Sequence, residues 1–307
     1  MTQYNKNKRK SNSNENPKSK KKSFSGLRVG KSKIKGPADK KQEFKSKKVY
    51  GVKGRKPNTG TARVETDVEM KSGPIRLNKY IANSGVCSRR EADTYIEAGV
   101  VTVNGDIITE MGYKVQPYDK VVLEGQLLKN ESKVYIILNK PKAVISAVSD
   151  ERGERTVIDI VKNCCTERLY PVGRLDKPTT GVILITNDGD LTKKLTHPSS
   201  NIKKIYQVNL DKPLTKSDMD KLVLGLTLED GEIHADEVSY IDLDDKKKIG
   251  IELHSGRNRI VRRMFDHLGY HVRKLDRVYF AGITKKNVKR GAWRYLSEKE
   301  VSFLKML

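Results

Sequence analysis

A chain of 307 residues with 62 Lys+Arg against 38 Asp+Glu, a formal net charge of +24, has room for two modest domains and a tail and suits a polyanionic partner. Three cysteines, Cys87, Cys164 and Cys165, exclude a disulfide framework and fit a reducing cytoplasm. No run approaches a helical membrane span, and the basic start lacks the apolar core of a secretory signal and the pattern of a transit peptide.

The charge is uneven. Residues 1–73 hold 22 basic and 6 acidic side chains, a net of +16, and the rest carries the remaining +8. This first quarter is rich in Lys, Ser, Asn and Gly, with few large apolar residues and no periodicity. It buries too little surface to offset the entropy of ordering, so it is expected to be a disordered basic tail. Its lysine clusters at 18–22 and 45–48 could neutralise phosphates or simply solubilise the chain.

A small domain is expected over 74–133. Residues 75–82 read as a helix ending near Gly85. Ser88 and Glu91 have the spacing of a capping box, opening a second helix through Ala92, Tyr95 and Ile96 to a stop at Gly99. Residues 100–103 and 107–108 flank Asn104-Gly105, a strong hairpin signal. Arg76, Lys79, Ser88, Arg89 and Arg90 would share a basic surface.

From 134 to 307 a second domain is expected. Strands are predicted at 134–138, 182–186, 205–210, 233–240 and 248–254, and helices at 157–163, 191–196 and 216–224. A strand at 134–138 leads into Asn139, Lys140 and Pro141. The loop 149–155 carries Arg152, Gly153 and Arg155, and suits either an RNA contact or plain surface. Without regular βαβ alternation, this pattern predicts an α+β fold: a largely antiparallel mixed sheet flanked by helices.

Three segments stand out. Residues 173–186, GRLDKPTTGVILIT, place Asp176 between Arg174 and a polar turn, directly before a buried strand. Alone, this reads more readily as a loop Arg-Asp ion pair than as a catalytic acid. In 205–210, Tyr206 shares a strand face with Val208 and Leu210, as a core tyrosine would. In Gly256-Arg257-Asn258-Arg259-Ile260-Val261-Arg262-Arg263-Met264-Phe265, the stripe Ile260, Val261, Met264, Phe265 and Leu268 marks a helix facing a core. His267 and His271 are spaced i, i+4 but lack acidic or cysteine partners, so no metal is expected.

Together these segments resemble the RsuA/RluB/RluF-type ribosomal RNA pseudouridine synthases. The signature R-L-D-x-x-T-x-G is matched at Arg174, Leu175, Asp176, Thr179 and Gly181. The resemblance implies that Asp176 is the catalytic aspartate, Tyr206 in Lys204-Ile205-Tyr206 the active-site tyrosine, and Arg262 the basic residue. Ser255 and Ile260 depart from the pattern, where relatives often have Glu and Gln or Glu; both departures bear on RNA contacts. The helices and hairpin of 74–133 resemble the S4 RNA-binding domain, so Arg76, Lys79, Ser88, Arg89 and Arg90 are expected on RNA, with Arg174, Arg257 and Arg259. Residues 170–173 and 291–296 look more like large-subunit enzymes.

The resemblance implies isomerisation of a uridine in ribosomal RNA, most nearly that of the 23S large-subunit RNA. This reaction involves no net redox change or hydrolysis, so no cofactor is expected. Asp176, ionised in a dry pocket, would either attack a nucleotide carbon or remove a sugar proton. Arg262 is the expected counter-charge. Partners would be ribosomal RNA or a subunit assembly intermediate, with the chain a cytoplasmic monomer and no membrane. The alternative is a non-catalytic RNA-binding ribosome-assembly factor. A hydrolase using Cys164 or Cys165 finds no activating base nearby.

Overall fold

The computed structural model describes residues 73–307. The expected tail, with its lysine clusters at 18–22 and 45–48, lies outside the described residues but for its last position.

The small domain forms as its local signals dictate. Helix α1, Leu77–Asn83, buries Leu77 and Ile81, one turn apart. It starts two residues later than expected, because Ile75–Arg76 pairs as a short strand with Lys114–Val115. Helix α2, Arg89–Glu97, has the capping box: Glu91 N donates to Ser88 Oγ at 3.2 Å, and Ser88 N donates to Glu91 Oε2 at 2.6 Å. Strands β1, Val101–Val103, and β2, Asp106–Ile107, meet through Asn104 and Gly105, both at positive φ, as this tight turn requires. Strands β3, Val121–Leu123, and β4, Gln126–Leu127, complete a sheet of order β2-β1-β3-β4.

The large domain is built on one sheet. Its elements are β5 (Tyr135–Lys140), α3 (Val157–Val161), β6 (Thr180–Thr186), α4 (Gly189–Thr196), β7 (Lys204–Leu210), α5 (Lys216–Leu224), β8 (Glu237–Tyr240), β9 (Lys248–Leu253), α6 (Ile260–His267), β10 (Val272–Phe280), β11 (Trp293–Tyr295) and α7 (Glu298–Met306). The order is β8-β9-β7-β10-β6-β5-β11, antiparallel throughout this path except between β10 and β6. Successive residues of β5 and β6 serve opposite faces. Ile137, Val182 and Leu184 pack with α4 and α7, while Ile136, Leu138, Ile183 and Ile185 pack with α3. The predicted stripe of α6 is buried against β7 and β9.

One strand differs from expectation. The segment 233–240 splits: Gly231–Ile233 pairs with Leu226–Leu228 in a separate hairpin, and only β8 joins the sheet. Between them Ala235 N bonds Leu222 O, and Asp236 N bonds Glu252 O, so the backbone changes partners there.

Gly181 fixes the junction that holds the site. Where β6 runs parallel to β10, Gly181 has φ +114°, and a Cβ there would lie 2.1 Å from the carbonyl oxygen of Arg277. Only glycine permits this approach.

Candidate active site

The β6 entry loop is clamped from behind. Lys140, at the end of β5, is fully buried, and its ammonium shares its three hydrogens among four carbonyl oxygens: Thr179 at 2.8 Å, Asp176 at 3.1 Å, Pro141 at 3.3 Å and Lys177 at 3.4 Å. Burial pushes its pKa down to about 8. Ser146 Oγ accepts from Leu175 N and donates to Leu175 O, and Thr179 N closes the turn onto Asp176 O at 2.9 Å. The Asp176 backbone is thus fixed on three sides while its carboxylate faces open space.

That space is a pocket of about 670 Å³ bordered by the loop before β6, by β7 and β10, and by the start of α6. Asp176, Thr179 and Tyr206 line it with Arg174, Arg257, Arg259 and Arg277, and Leu175, Val261 and Phe280 supply apolar wall. Tyr206 is half-buried and packs against both the α3-side and the α6-side cores. Arg174 is exposed at the rim. The sequence-predicted acid and tyrosine therefore meet in one cleft.

The arginines divide differently from expectation. The ion-pair contact of Asp176 is Arg259, at 3.8 Å, rather than Arg262. Arg259 occupies the N-cap of α6 at φ +48°, which turns it toward the loop. Arg262 donates from Nη1 to the Val272 carbonyl at 2.9 Å, and its Nε is buried without a hydrogen-bond partner. Burial lowers its pKa, the neighbouring Arg259 charge adds to this, and Asp176 opposes it. Arg262 thus senses the acid without bonding it. Arg257 is tied to the 226–233 hairpin through the Gly231 carbonyl at 3.2 Å, beside an Arg263–Asp230 pair.

Sequence reasoning missed several lining residues. Lys204 donates to the Ile202 and His254 carbonyls at 2.7 and 2.8 Å, and burial, aided by the charge of Arg277, pushes its pKa down to about 8. Arg277 is inside the sheet, betrayed only by sharing the face of Leu275 in β10. Lys140 does not line the pocket but was missed as well; it lies two residues beyond the apolar run 134–138, in the same strand, a signal that it too enters the core.

A second cleft of about 650 Å³ lies between the small and large domains. Arg76, Lys79, Ser88 and Arg89 face Arg168 and Lys193 across it, and Lys79 pairs with Asp190 of α4 at 2.6 Å. The expected basic surface of the small domain thus continues onto the large one.

Residues 134–267 match the family model described as RNA pseudouridylate synthase, and residues 75–121 match that of the S4 domain. The chain is 41% identical over 235 residues to the ribosomal large subunit pseudouridine synthase B of Bacillus subtilis, covering 76% of this chain and 96% of that protein. It is 38% identical over 236 residues to the dual-specificity RNA pseudouridine synthase RluF of Escherichia coli K12, covering 74% and 77%. A solved pseudouridylate synthase structure superposes with a TM-score of 0.55 at 27% identity, covering 75% of this chain and 99% of that one. The chain is therefore an enzyme, and it belongs to the RluB/RluF-type family of ribosomal RNA pseudouridine synthases.

Proposed function

We propose that this enzyme converts one uridine of the 23S large-subunit ribosomal RNA to pseudouridine, with Asp176 as catalytic aspartate. Tyr206 lies against the target base and Arg262 is the basic partner of the acid. The observation that carries this reading is the meeting of Asp176 and Tyr206 in one pocket rimmed by Arg174 and Arg259. The name of the Bacillus subtilis relative supports the large subunit as the source of the RNA.

The reaction breaks the bond from C1′ to N1 of uracil and forms one from C1′ to C5. A proton leaves C5 and one is gained at N1, so atoms balance without an oxidant, reductant or water. The detached base has to rotate without escaping, which suits a pocket walled by Leu175, Val261 and Phe280. Asp176 either attacks a nucleotide carbon or takes a sugar proton; its clamped backbone serves both routes. Rotation of the guanidinium from the Val272 carbonyl would bring Arg262 onto the acid when substrate enters.

A uridine inside folded RNA has to leave its stack first. Arg174, exposed at the rim, is placed to fill the vacated space or clamp a phosphate. The RNA flanks would follow the cationic cleft between the domains, engaging Arg76, Lys79, Ser88 and Arg89, with Arg90 exposed on α2 outside the cleft lining.

The test is Asp176→Asn. Pseudouridine mapped by carbodiimide treatment and reverse transcription should vanish, while RNA binding stays within about twofold of wild type, since the acid makes no favourable phosphate contact. A modified mutant product would remove Asp176 from the chemistry. The same map on both ribosomal RNAs tests the large-subunit assignment.

A further inference from the structure

One buried charge is not used by the chemistry above. Arg277, in β10, is only 3% exposed. Its Nε donates to the Val182 carbonyl at 2.8 Å, and its guanidinium carbon lies 4.5 Å from the centre of the Phe280 ring. Its Nη2 is buried and has no hydrogen-bond partner among the described residues. Burying a guanidinium with a donor unpaired is expensive, and such an orphan calls for a reason.

No carboxylate supplies one. The adjacent acid, Asp276, belongs to the opposite strand face, where Arg290 at 2.9 Å and Lys285 hold it. Asp176 has Arg259. The polar group that Arg277 does face is the phenol of Tyr206, its register partner across β7 and β10, close enough that both its charge and its hydrogen-bonding oxygen favour the charged guanidinium, although Nη2 does not yet make a well-formed bond to it. The register shifts between Ile205 and Tyr206, an irregularity of the kind that re-aims a side chain. Both residues line the pocket beside Asp176.

We infer that Arg277 is a positioning residue for Tyr206: its Nη2 donates to the phenolic oxygen once RNA fills the pocket. A phenolic oxygen can accept while its own hydrogen is donated elsewhere. Donation from the sheet side therefore turns the Tyr206 hydrogen toward the pocket and fixes the ring against the target base. The cation is already in place and desolvated, so it does not have to reorganise during the reaction. This rests on the reading of Tyr206 as an active-site residue.

The experiment is a double-mutant cycle on the full chain. Arg277→Met, Tyr206→Phe and their combination are compared by the single-turnover rate of pseudouridine formation, with enzyme in excess and long incubations. RNA affinity and thermal melting are measured alongside. Loss of one charge-assisted hydrogen bond predicts a rate about 10- to 100-fold lower in Arg277→Met, with RNA affinity within about twofold. In the Tyr206→Phe background the same substitution should cost less than about threefold. An equal loss in both backgrounds, or a wild-type rate in Arg277→Met, overturns the inference while leaving the role of Tyr206 intact. A wild-type rate in Tyr206→Phe removes the role of Tyr206, and the inference with it. If Arg277→Met does not fold, Arg277→Lys is put through the same cycle with the same criteria.

Discussion

Asp176 and Arg262 sit in neighbouring elements without a direct bond: the guanidinium holds the Val272 carbonyl at 2.9 Å, and the acid has its ion-pair contact with Arg259, 3.8 Å away. Arg259 is half-exposed, so its pairing is screened and worth little. Arg262 is partly buried, and its Nε has no partner to give up. Arg259→Ala should therefore lower the single-turnover rate only a few-fold. Arg262→Lys keeps the charge but loses the planar fork, and should cost about 100-fold or more without lowering the melting temperature. The opposite ranking would assign the counter-charge to Arg259.

The signature glycine makes a backbone argument. Gly181→Ala places a Cβ 2.1 Å from the Arg277 carbonyl oxygen, at a φ of +114° that alanine resists. The strain alone is about 1–3 kcal/mol, and separating β6 from β10 adds to it. The melting temperature should fall by about 5 °C or more. Because the Asp176 loop leads directly into β6 and Arg277 lies on β10, activity should fall further than unfolding explains. A variant with wild-type melting and rate would show that the strands part freely.

Lys140 ties stability to pH with a definite sign. Its folded pKa is about 8, against about 10.4 in an unfolded chain. Below pH 8 both states hold the proton and the group adds no pH dependence. Between about pH 8 and 10.4 the unfolded chain holds a proton that the folded one has lost, so unfolding is disfavoured as pH rises. Urea denaturation should show wild type gaining on Lys140→Met across this window, by at most about 1.4 kcal/mol per pH unit. Lys204 shares the shift but is present in both proteins, so it cancels. At pH 7 the substitution should also slow the reaction by about tenfold, because three carbonyls of the Asp176 loop lose their anchor. A difference in stability that shrinks as pH rises would reverse the assignment.

What the sequence made legible follows from how local each signal is. The capping box at Ser88 and Glu91, the Asn104-Gly105 turn and the α6 stripe are short-range patterns, and each formed as read. The Asp176–Tyr206 meeting was reachable only through resemblance, because it joins segments 30 residues apart across two strands. The Asp176–Arg259 contact was not foreseen because Arg259 and Arg262 are only three residues apart, and the left-handed N-cap that aims Arg259 leaves no mark in composition. The break at 234–236 was hidden for a similar reason: its apolar and polar residues alternate as a strand would, while the backbone changes partners. Lys140 and Arg277 were missed because charged residues are read as exposed by default, and both are buried by three-dimensional context.

The cleft between the domains yields a prediction with two opposite signs. Lys79, Arg89, Arg168 and Lys193 line it, and the acid Asp190 holds Lys79 at 2.6 Å. If RNA phosphates run along this cleft, each Gln substitution among those four cations removes a contact. Affinity should then fall, and the slope of log affinity against log salt should become shallower by roughly 0.7–0.9 per residue. With saturating RNA the rate should be unchanged, because these side chains lie outside the Asp176 pocket. Asp190→Asn should do the reverse. The Asp190 side chain is 78% exposed, so its pairing contributes little to stability, but its loss frees the Lys79 ammonium for phosphate. Filter binding of a ribosomal RNA fragment across a salt series should show Asp190→Asn binding more tightly than wild type, with a steeper slope. In the Lys79→Gln background that gain should shrink to the repulsion removed with the acid. A cleft that serves only to join the domains would give the opposite pattern: Asp190→Asn would lower the melting temperature, and the salt slope would not move in any of the variants.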